Sequence, residues 1–282
     1  WGADVPWQRI DVREPDSLER AFDGAESVFH LAAVISITGD QGGLVPAVNV
    51  DGVGHVAEAA LRAGVGRFVH FSSVHAFDLM KQGDAVHEGS DRPPASHPSY
   101  DRSKAAGEAR LQEVIAQGLD AVVLNPTGIF GPVDPAPSRI GQLFRDVVRR
   151  RVPAVPTGGF NWIDVRDLID TALAAEGRGQ TGRNYIVAGR WASARELCDI
   201  TASLAGVWRP PLTLPVGWLE GVAPLLMLLD RFVEGEPMFT REAMHALRAN
   251  RSIDDSRARA ELGHAPRPLE ETIADLVRCL QG

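Results

Sequence analysis

Short apolar runs alternate with amphipathic stretches through the first half of the chain. The apolar runs are rich in β-branched and aromatic residues, which is typical of strands, whereas the longer stretches repeat apolar positions at helical spacing. Alternating strands and helices favour a parallel sheet with crossover helices. The predicted strands are Val5–Val12, Ser27–Ala32, Arg67–Phe71 and Leu119–Asn125, and the predicted helices are a short one from Pro15 to Gly24, Val48–Ala63 and Tyr100–Gln117.

The second half of the chain is dominated by helical patterns. Ser193 and Glu196 have the spacing of a capping box, which predicts a helix that ends at Gly206. This half therefore predicts a smaller, mostly helical domain beside the sheet. Its other predicted helices are Phe144–Arg151, Asp164–Ala175, Ser252–Leu262 and Leu269–Leu280.

Composition narrows the class of protein. The chain has 282 residues, of which 44% are hydrophobic and 23% charged, so it has the composition of a globular protein. A net charge of −8 argues against a nucleic-acid surface. Two cysteines are too few for a disulfide framework, which favours the cytoplasm. The apolar run Val222–Leu229 is much shorter than the roughly 20 residues of a membrane span.

Candidate chemistry lies where predicted strands end. Ser72 and Ser73 follow one strand, and Tyr100 and Lys104 stand four residues apart at the start of the next long helix. This spacing puts the phenol and the ammonium on one helical face. Lowering the pKa of a tyrosine from about 10 to about 7 takes roughly 4 kcal/mol, which a lysine and a cationic cofactor together supply only in a dry cleft. Taken alone, such a pair is more often part of an amphipathic helix surface than of a catalytic site.

The order of these motifs resembles the extended short-chain dehydrogenase/reductase family, which includes nucleotide-sugar epimerases, dihydroflavonol-type reductases and 3β-hydroxysteroid dehydrogenases. The resemblance runs through nearly the whole chain and implies a Rossmann-like, doubly wound parallel sheet. The stretches that carry it are RIDV at 9–12, VFHLAA at 28–33, NVDG at 49–52, FVHFSS at 68–73, YDRSK at 100–104, NPTGIFGP at 125–132, NWIDVRDL at 161–168 and SRARAELGHAPRPLEETI at 256–273.

The resemblance implies hydride transfer between nicotinamide and a secondary alcohol or ketone, by a reductase or an epimerase that uses NAD or NADP. Tyr100 is then the catalytic acid/base, Lys104 its activator and ribose ligand, and Ser73 the hydroxyl that orients the substrate. The other residues implied to bind or border the cofactor are Asp11, Val12, Leu31, Ala32, Ala33, Asn49, Phe71 and Pro126.

The family pattern also implies a domain division and a mode of association. Residues 1–133, with 158–190 returning, form the dinucleotide-binding core, and 134–157 and 191–282 form the substrate-binding cap. Many relatives pair as homodimers through the helices predicted at Val48–Ala63 and Tyr100–Gln117. No metal is expected, because His70, His75 and His87 lack ligand spacing.

Three departures separate this chain from the family pattern. Val74 stands where sugar epimerases often have a third hydroxyl residue, and Asn125 stands where the family usually has arginine. The family's glycine-rich phosphate loop has no counterpart in the sequence, which resembles the family from its third strand onward. We therefore expect the sheet to lack its first two strands, Val5–Val12 to have no neighbour, and this chain alone to bind dinucleotide poorly.

The sequence leaves two questions open. The substrate is either an apolar ketone or alcohol, roofed by Trp218–Leu229 with Phe130, Phe160 and Trp162, or a nucleotide sugar. The departures also leave room for a non-catalytic dinucleotide-binding or sensing protein on the same fold.

Overall fold

The computed structural model describes residues 5–134, 138–218 and 245–281. Its strands are β1 Ser27–His30, β2 Arg67–Phe71, β3 Ala121–Pro126, β4 Gly128–Phe130, β5 Ala154–Pro156, β6 Gly159–Asp164, β7 Asn184–Val187, β8 Arg190–Ser193 and β9 Leu212–Leu214. Its helices are α1 Pro15–Leu18, α2 Leu44–Pro46, α3 Gly52–Arg62, α4 Ser99–Ile115, α5 Arg139–Val148, α6 Val165–Arg178, α7 Ala194–Ala205 and α8 Leu269–Gln281, with 3₁₀ turns at Glu19–Ala21 and Val74–Ala76 and π turns at Ala47–Asp51 and Ala258–Leu262.

The chain divides into two compact units. The first comprises Trp1–Phe77, Asp91–Asn125 and Ala172–Tyr185, and the second comprises Asp78–Ser90, Pro126–Thr171 and Ile186–Gly282. The predicted assignment of a dinucleotide-binding core and a substrate-binding cap is a functional one and stays a prediction.

A four-stranded sheet runs in the order β1-β2-β3-β7, and β1, β2 and β3 are parallel. The register aligns Ser27 with Arg67 and His30 with His70, so the carboxyl ends of β1 and β2 lie together. Strand β3 is buried along its whole length, including the polar Asn125. A core of leucine, valine, alanine and phenylalanine side chains from α1, α3, α4 and the strands packs in the first unit.

The helix that carries Tyr100, α4, packs closely against the π turn at Ala47–Asp51. A Cβ atom on Gly107 would lie only 2.1 Å from the backbone oxygen of Asn49, so only glycine fits at this position of α4. The helix is followed by Gly118, whose φ of +113° lies in the region that favours glycine. These two glycines fix where the helix packs and where the chain turns toward β3.

The second unit contains helices α5, α7 and α8 around a core of Phe130, Phe144, Leu197, Ile273 and Leu276. Ser193 caps α7, because its hydroxyl accepts the N–H of Glu196 at 3.0 Å. Two small sheets in this half were not predicted from the sequence, one of order β4-β6-β8 and a β5-β9 pair. Their strands are three to six residues long, too short to show a clear alternating pattern.

Several predicted elements have other bounds in the structure; the helix predicted at Phe144–Arg151, for example, spans Arg139–Val148. Two further predictions differ in kind. Val5–Val12 is not a strand, because no strand of the described chain pairs with it. Ser252–Leu262 becomes helical only after Asp255. Its first residues form other hydrogen bonds instead of helical ones. Ile253 forms an isolated β-bridge with Val86, and the backbone N–H of Ser252 donates to the side-chain oxygen of Asn250.

Among the described residues, no helix is both long enough and apolar enough to cross a lipid bilayer.

Candidate active site

The structure brings Ser73, Tyr100 and Lys104 together in the first unit. Ser73 follows the end of β2, and its extended backbone opens the turn Val74–Ala76. Tyr100 and Lys104 lie one turn apart on α4. The side chain of Ser73 lies close enough to the phenol of Tyr100 to act on its pKa, and both residues contact His75. The hydroxyl and the phenol that the sequence predicts as a pair are therefore adjacent.

Lys104 is a buried lysine whose charge faces the backbone. Its side chain is almost inaccessible, and its Nζ donates a hydrogen bond to the carbonyl oxygen of Phe71 at 3.1 Å. Burial lowers its pKa to about 8, although the negative charge of Glu108 opposes that shift. Lys104 is therefore still largely cationic at neutral pH.

The pKa of Tyr100 is shifted upward, whereas the sequence predicts a downward shift. Burial of its hydroxyl raises its pKa to about 12; the nearby side chain of Ser73 opposes this rise, and the neighbouring carboxylate of Asp101 adds to it. The lysine alone thus does not bring the phenol toward neutrality. In this structure Tyr100 is a protonated acid at pH 7.

A histidine outside the predicted set of site residues stands beside these groups. The Nδ1 atom of His75 lies 2.9 Å from Oδ1 of the buried Asp101, and its ring meets the ring of Tyr100 edge-on at 5.7 Å. The backbone N–H of His75 also donates to Oγ of Ser73 at 3.2 Å. No sequence spacing signals this histidine, because His75 and Asp101 meet only through the fold.

Asn49 supports the site from the neighbouring helical segment. Its Oδ1 accepts the N–H of Val34, and its Nδ2 donates to Val34 O and to Oγ of Ser103. Ser103 in turn donates to the backbone oxygen of Tyr100 at 2.7 Å. Asn49 therefore links the loop after β1 to the first turn of α4.

The remaining residues predicted to border a cofactor lie in different environments. Leu31, Ala32 and Ala33 are exposed directly after the end of β1. Asp11 is already paired, because the guanidinium of Arg13 binds its carboxylate and holds its pKa at about 2.

Of the other cofactor-bordering candidates, Val12 packs against the core of the first unit. Pro126 is the buried last residue of β3, in the second unit.

Two buried imidazoles lie at the carboxyl ends of β1 and β2. The Nδ1 atoms of His30 and His70 are 3.1 Å apart, and their rings stack at 5.1 Å. Burial, together with the charge of Lys104, lowers the pKa of His30 to about 4 and that of His70 well below its usual value. Both rings are therefore neutral at pH 7.

Two buried polar atoms at these strand ends have no hydrogen-bond partner among the described residues: Nε2 of His30 and Oγ of Ser72. Such atoms are costly unless a ligand or water pairs with them. With the ammonium of Lys104 they form a set of donors and acceptors at the edge where open α/β sheets bind ligands. This set fits a polar dinucleotide, whose ribose and amide groups both donate and accept hydrogen bonds.

The apolar candidates lie in the second unit. The rings of Phe160 and Trp162 meet edge-on at 5.9 Å and are half-buried, whereas Phe130 is buried against Phe144. Trp218 is exposed, and the rest of the proposed roof, 219–229, lies outside the described residues.

The chain is similar to known proteins over nearly its whole length. A family model described as "NAD dependent epimerase/dehydratase family" matches residues 2–188. "Sterol demethylase protein B" of Methylococcus capsulatus is 33% identical over 270 residues, covering 95% of this chain and 82% of that protein. "3beta-hydroxysteroid-dehydrogenase/decarboxylase isoform 1" of Arabidopsis thaliana is 28% identical over 294 residues, covering 95% of this chain and 65% of that protein.

Solved structures share the fold. The structure titled "RMD from Pseudomonas aeruginosa complexed with NADPH" superposes with a TM-score of 0.76 at 21% identity, covering 99% of this chain and 92% of that one. The predicted fold class, an α/β Rossmann-like parallel sheet with helices in the C-terminal region, is confirmed.

Proposed function

The chain belongs to the NAD dependent epimerase/dehydratase family, and from that premise we propose that it is an oxidoreductase in which Tyr100 exchanges a proton with the oxygen of a ketone or secondary alcohol. The observation that carries the proposal is the convergence of Ser73 and Tyr100 on His75, one helical turn from Lys104 on α4: the backbone N–H of His75 donates to Oγ of Ser73, and its ring meets the ring of Tyr100. The cofactor is NAD or NADP. The family membership itself confirms the resemblance carried by the sequence motifs.

The residues around the strand ends fit this cofactor. We assign Lys104 to the ribose hydroxyls, since its ammonium is buried beside the end of β2. Nε2 of His30 and Oγ of Ser72 are further polar partners for the dinucleotide. When bound, the cofactor supplies hydride to the carbonyl carbon or removes it from the alcohol.

The chain's own residues handle the oxygen of the substrate. Ser73 orients that oxygen beside the phenol. Because the pKa of Tyr100 is raised to about 12, its hydroxyl is protonated at neutral pH and donates its proton to the carbonyl oxygen during reduction. The ammonium of Lys104 then stabilises the phenolate that remains. This charge state favours reduction as the direction that needs no prior deprotonation.

We infer that the substrate is an apolar ketone or alcohol. In the second unit, the rings of Phe160 and Trp162 are half-buried and apolar, and Asn125 stands where the family usually has arginine, which weakens the case for a nucleotide sugar. Two relatives of the chain carry sterol and hydroxysteroid in their names. A nucleotide sugar is the alternative substrate, so both classes need to be assayed.

Tyr100→Phe tests the function, with Tyr185→Phe as its matched control. The chain has two tyrosines, and Tyr185 is a buried residue of β7 whose hydroxyl accepts the N–H of Gln180. We expect Tyr100→Phe to lower turnover of reduced nicotinamide by about 100-fold or more, because general acid catalysis contributes about that much. Dinucleotide affinity should stay within about threefold of wild type, and Tyr185→Phe should keep its turnover.

The assay uses NADH and NADPH against sterol-like ketones and nucleotide sugars. Turnover that survives Tyr100→Phe would remove Tyr100 from the mechanism. Dinucleotide binding without turnover of either substrate class would favour the non-catalytic alternative.

A further inference from the structure

We propose that Glu108 is a positioning residue that fixes Ser73 in relation to Tyr100, acting through Asn125 and Arg92. The inference rests on the proposed function, since Ser73 is the hydroxyl that orients the substrate. Glu108 is a buried carboxylate that the reaction itself does not use. It lies on the same face of α4 as Tyr100 and Lys104, at successive intervals of four residues.

Asn125 connects this carboxylate to the serine. Its Nδ2 donates one hydrogen bond to the backbone oxygen of Ser73 at 2.9 Å and another to Oε1 of Glu108 at 2.5 Å. Both amide hydrogens are thus used. The Oδ1 atom of Asn125 accepts from Nδ2 of Asn184 at 2.9 Å, which fixes the orientation of the amide. Asn125, which stands where the family usually has arginine, therefore holds the carbonyl of Ser73 in place.

Arg92 makes the second connection. Its Nη1 lies 2.7 Å from Oε2 of Glu108 and donates to the backbone oxygen of Ala76 at 3.0 Å. Its guanidinium lies 4.6 Å from the centre of the Phe77 ring. The segment 73–77 is consequently held at two carbonyls, Ser73 and Ala76, by two side chains that share one carboxylate.

Charge explains why a carboxylate is needed at this position. Glu108 accepts from Asn125 at one oxygen and from Asn184 and Arg92 at the other. A glutamine would place an amide N–H against donors at one end, so one contact would be lost and its partner left unpaired. The carboxylate therefore satisfies three donors at once, and two of them, Asn125 and Arg92, hold the segment 73–77.

Glu108→Gln tests the proposal in the full chain. We expect kcat for ketone reduction to fall about tenfold, because a misplaced orienting group lowers the rate without removing binding. Affinity for the dinucleotide should change less than about threefold. In a Ser73→Ala background the same substitution should lower kcat by less than about twofold, since a residue that acts through Ser73 has no further effect once its hydroxyl is gone.

Arg67→Met is the matched control. Arg67 stands at the opposite end of β2, where its guanidinium pairs with Asp120 and donates to the backbone oxygen of Gly179. Its substitution removes an ion pair and a carbonyl contact from the same strand, and we expect kcat to be unchanged. If Glu108→Gln fails to fold, Arg92→Met replaces it, because the Arg92 side chain is 45% exposed.

A readout without turnover separates this proposal from the function on which it rests. With ¹³C in the tyrosine rings the chain gives signals from Tyr100 and Tyr185 alone. We expect Ser73→Ala and Glu108→Gln to move the Tyr100 signal in the same direction, and Arg67→Met to leave it in place. An enzyme without turnover would defeat the proposed function but not this result. A Tyr100 signal unmoved by Glu108→Gln, or effects on kcat that multiply with those of Ser73→Ala, would overturn the positioning role.

Discussion

Buried charged side chains in the two units differ in whether they have a partner of opposite charge. In the second unit, Asp164 accepts two hydrogen bonds from the side chain of Arg166, which also binds Asp275, and Arg267 binds Asp167 at 2.8 Å. In the first unit, the buried ammonium of Lys104 donates to a backbone oxygen, that of Phe71, and to no carboxylate among the residues that the structure describes.

The pKa values report the difference. Pairing with carboxylates raises the pKa of both Arg166 and Arg267, whereas burial lowers that of Lys104 to about 8. Nε2 of His30 and Oγ of Ser72, which have no hydrogen-bond partner within the described ranges, add two further unsatisfied polar atoms to the first unit. Paired charges of this kind stabilise a fold, while unpaired ones reduce stability and mark a place that a ligand completes.

Removing a charge from the paired group should have the largest effect on stability. Arg267→Met leaves the buried carboxylate of Asp167 without its guanidinium, and we expect the free energy of unfolding to fall by about 3–4 kcal/mol. Denaturant unfolding measures it. Arg278→Met is the control, because its ion pair with Asp275 involves a side chain that is 75% exposed; we expect a change below about 0.5 kcal/mol. Equal losses in the two variants would contradict the contrast between paired and exposed charges.

The neutral imidazoles should make the first unit sensitive to acid. Below pH 6.5 the unfolded chain takes up protons that the buried rings of His30 and His70 do not, so stability falls as the pH drops. With a folded pKa of about 4, His30 alone accounts for a loss of about 3 kcal/mol at pH 4. Unfolding measured from pH 7 to pH 4 checks this. His30→Gln should flatten the profile, and an unchanged slope in that variant would show that other groups cause the loss.

Local patterns predicted the elements of the first unit well but not the electrostatics of its site. The sequence RFVHF predicted β2 at its observed bounds, and the Tyr100 to Lys104 spacing predicted two groups on one face. Both depend on short-range geometry. The raised pKa of Tyr100 could not be predicted, because it depends on burial and on Asp101 in the folded chain.

Contacts between distant residues also escaped prediction. His75 meets Asp101, and Glu108 meets Arg92 and Asn184, only after β2, α4 and β7 have packed. Val5–Val12 has the composition of a strand, but a strand needs a partner, and none of the described chain pairs with it. The small strands of the second unit are likewise stabilised by pairing rather than by their own sequence.

The most direct measurement is the stability of Lys104→Met with and without dinucleotide. Below pH 8 the folded lysine carries a charge that burial disfavours, and stability rises with pH between 8 and about 10.5, where only the unfolded chain still holds that proton. The substitution should therefore raise the free energy of unfolding at pH 7 by about 2–3 kcal/mol.

NAD(H) or NADP(H) at 100 times its Kd should stabilise wild type by about 2.7 kcal/mol, and the variant by less than about 1 kcal/mol at the same concentration. A variant that loses stability at pH 7, or that gains as much from dinucleotide as wild type does, would contradict the account of Lys104 as a charge held ready for a ligand.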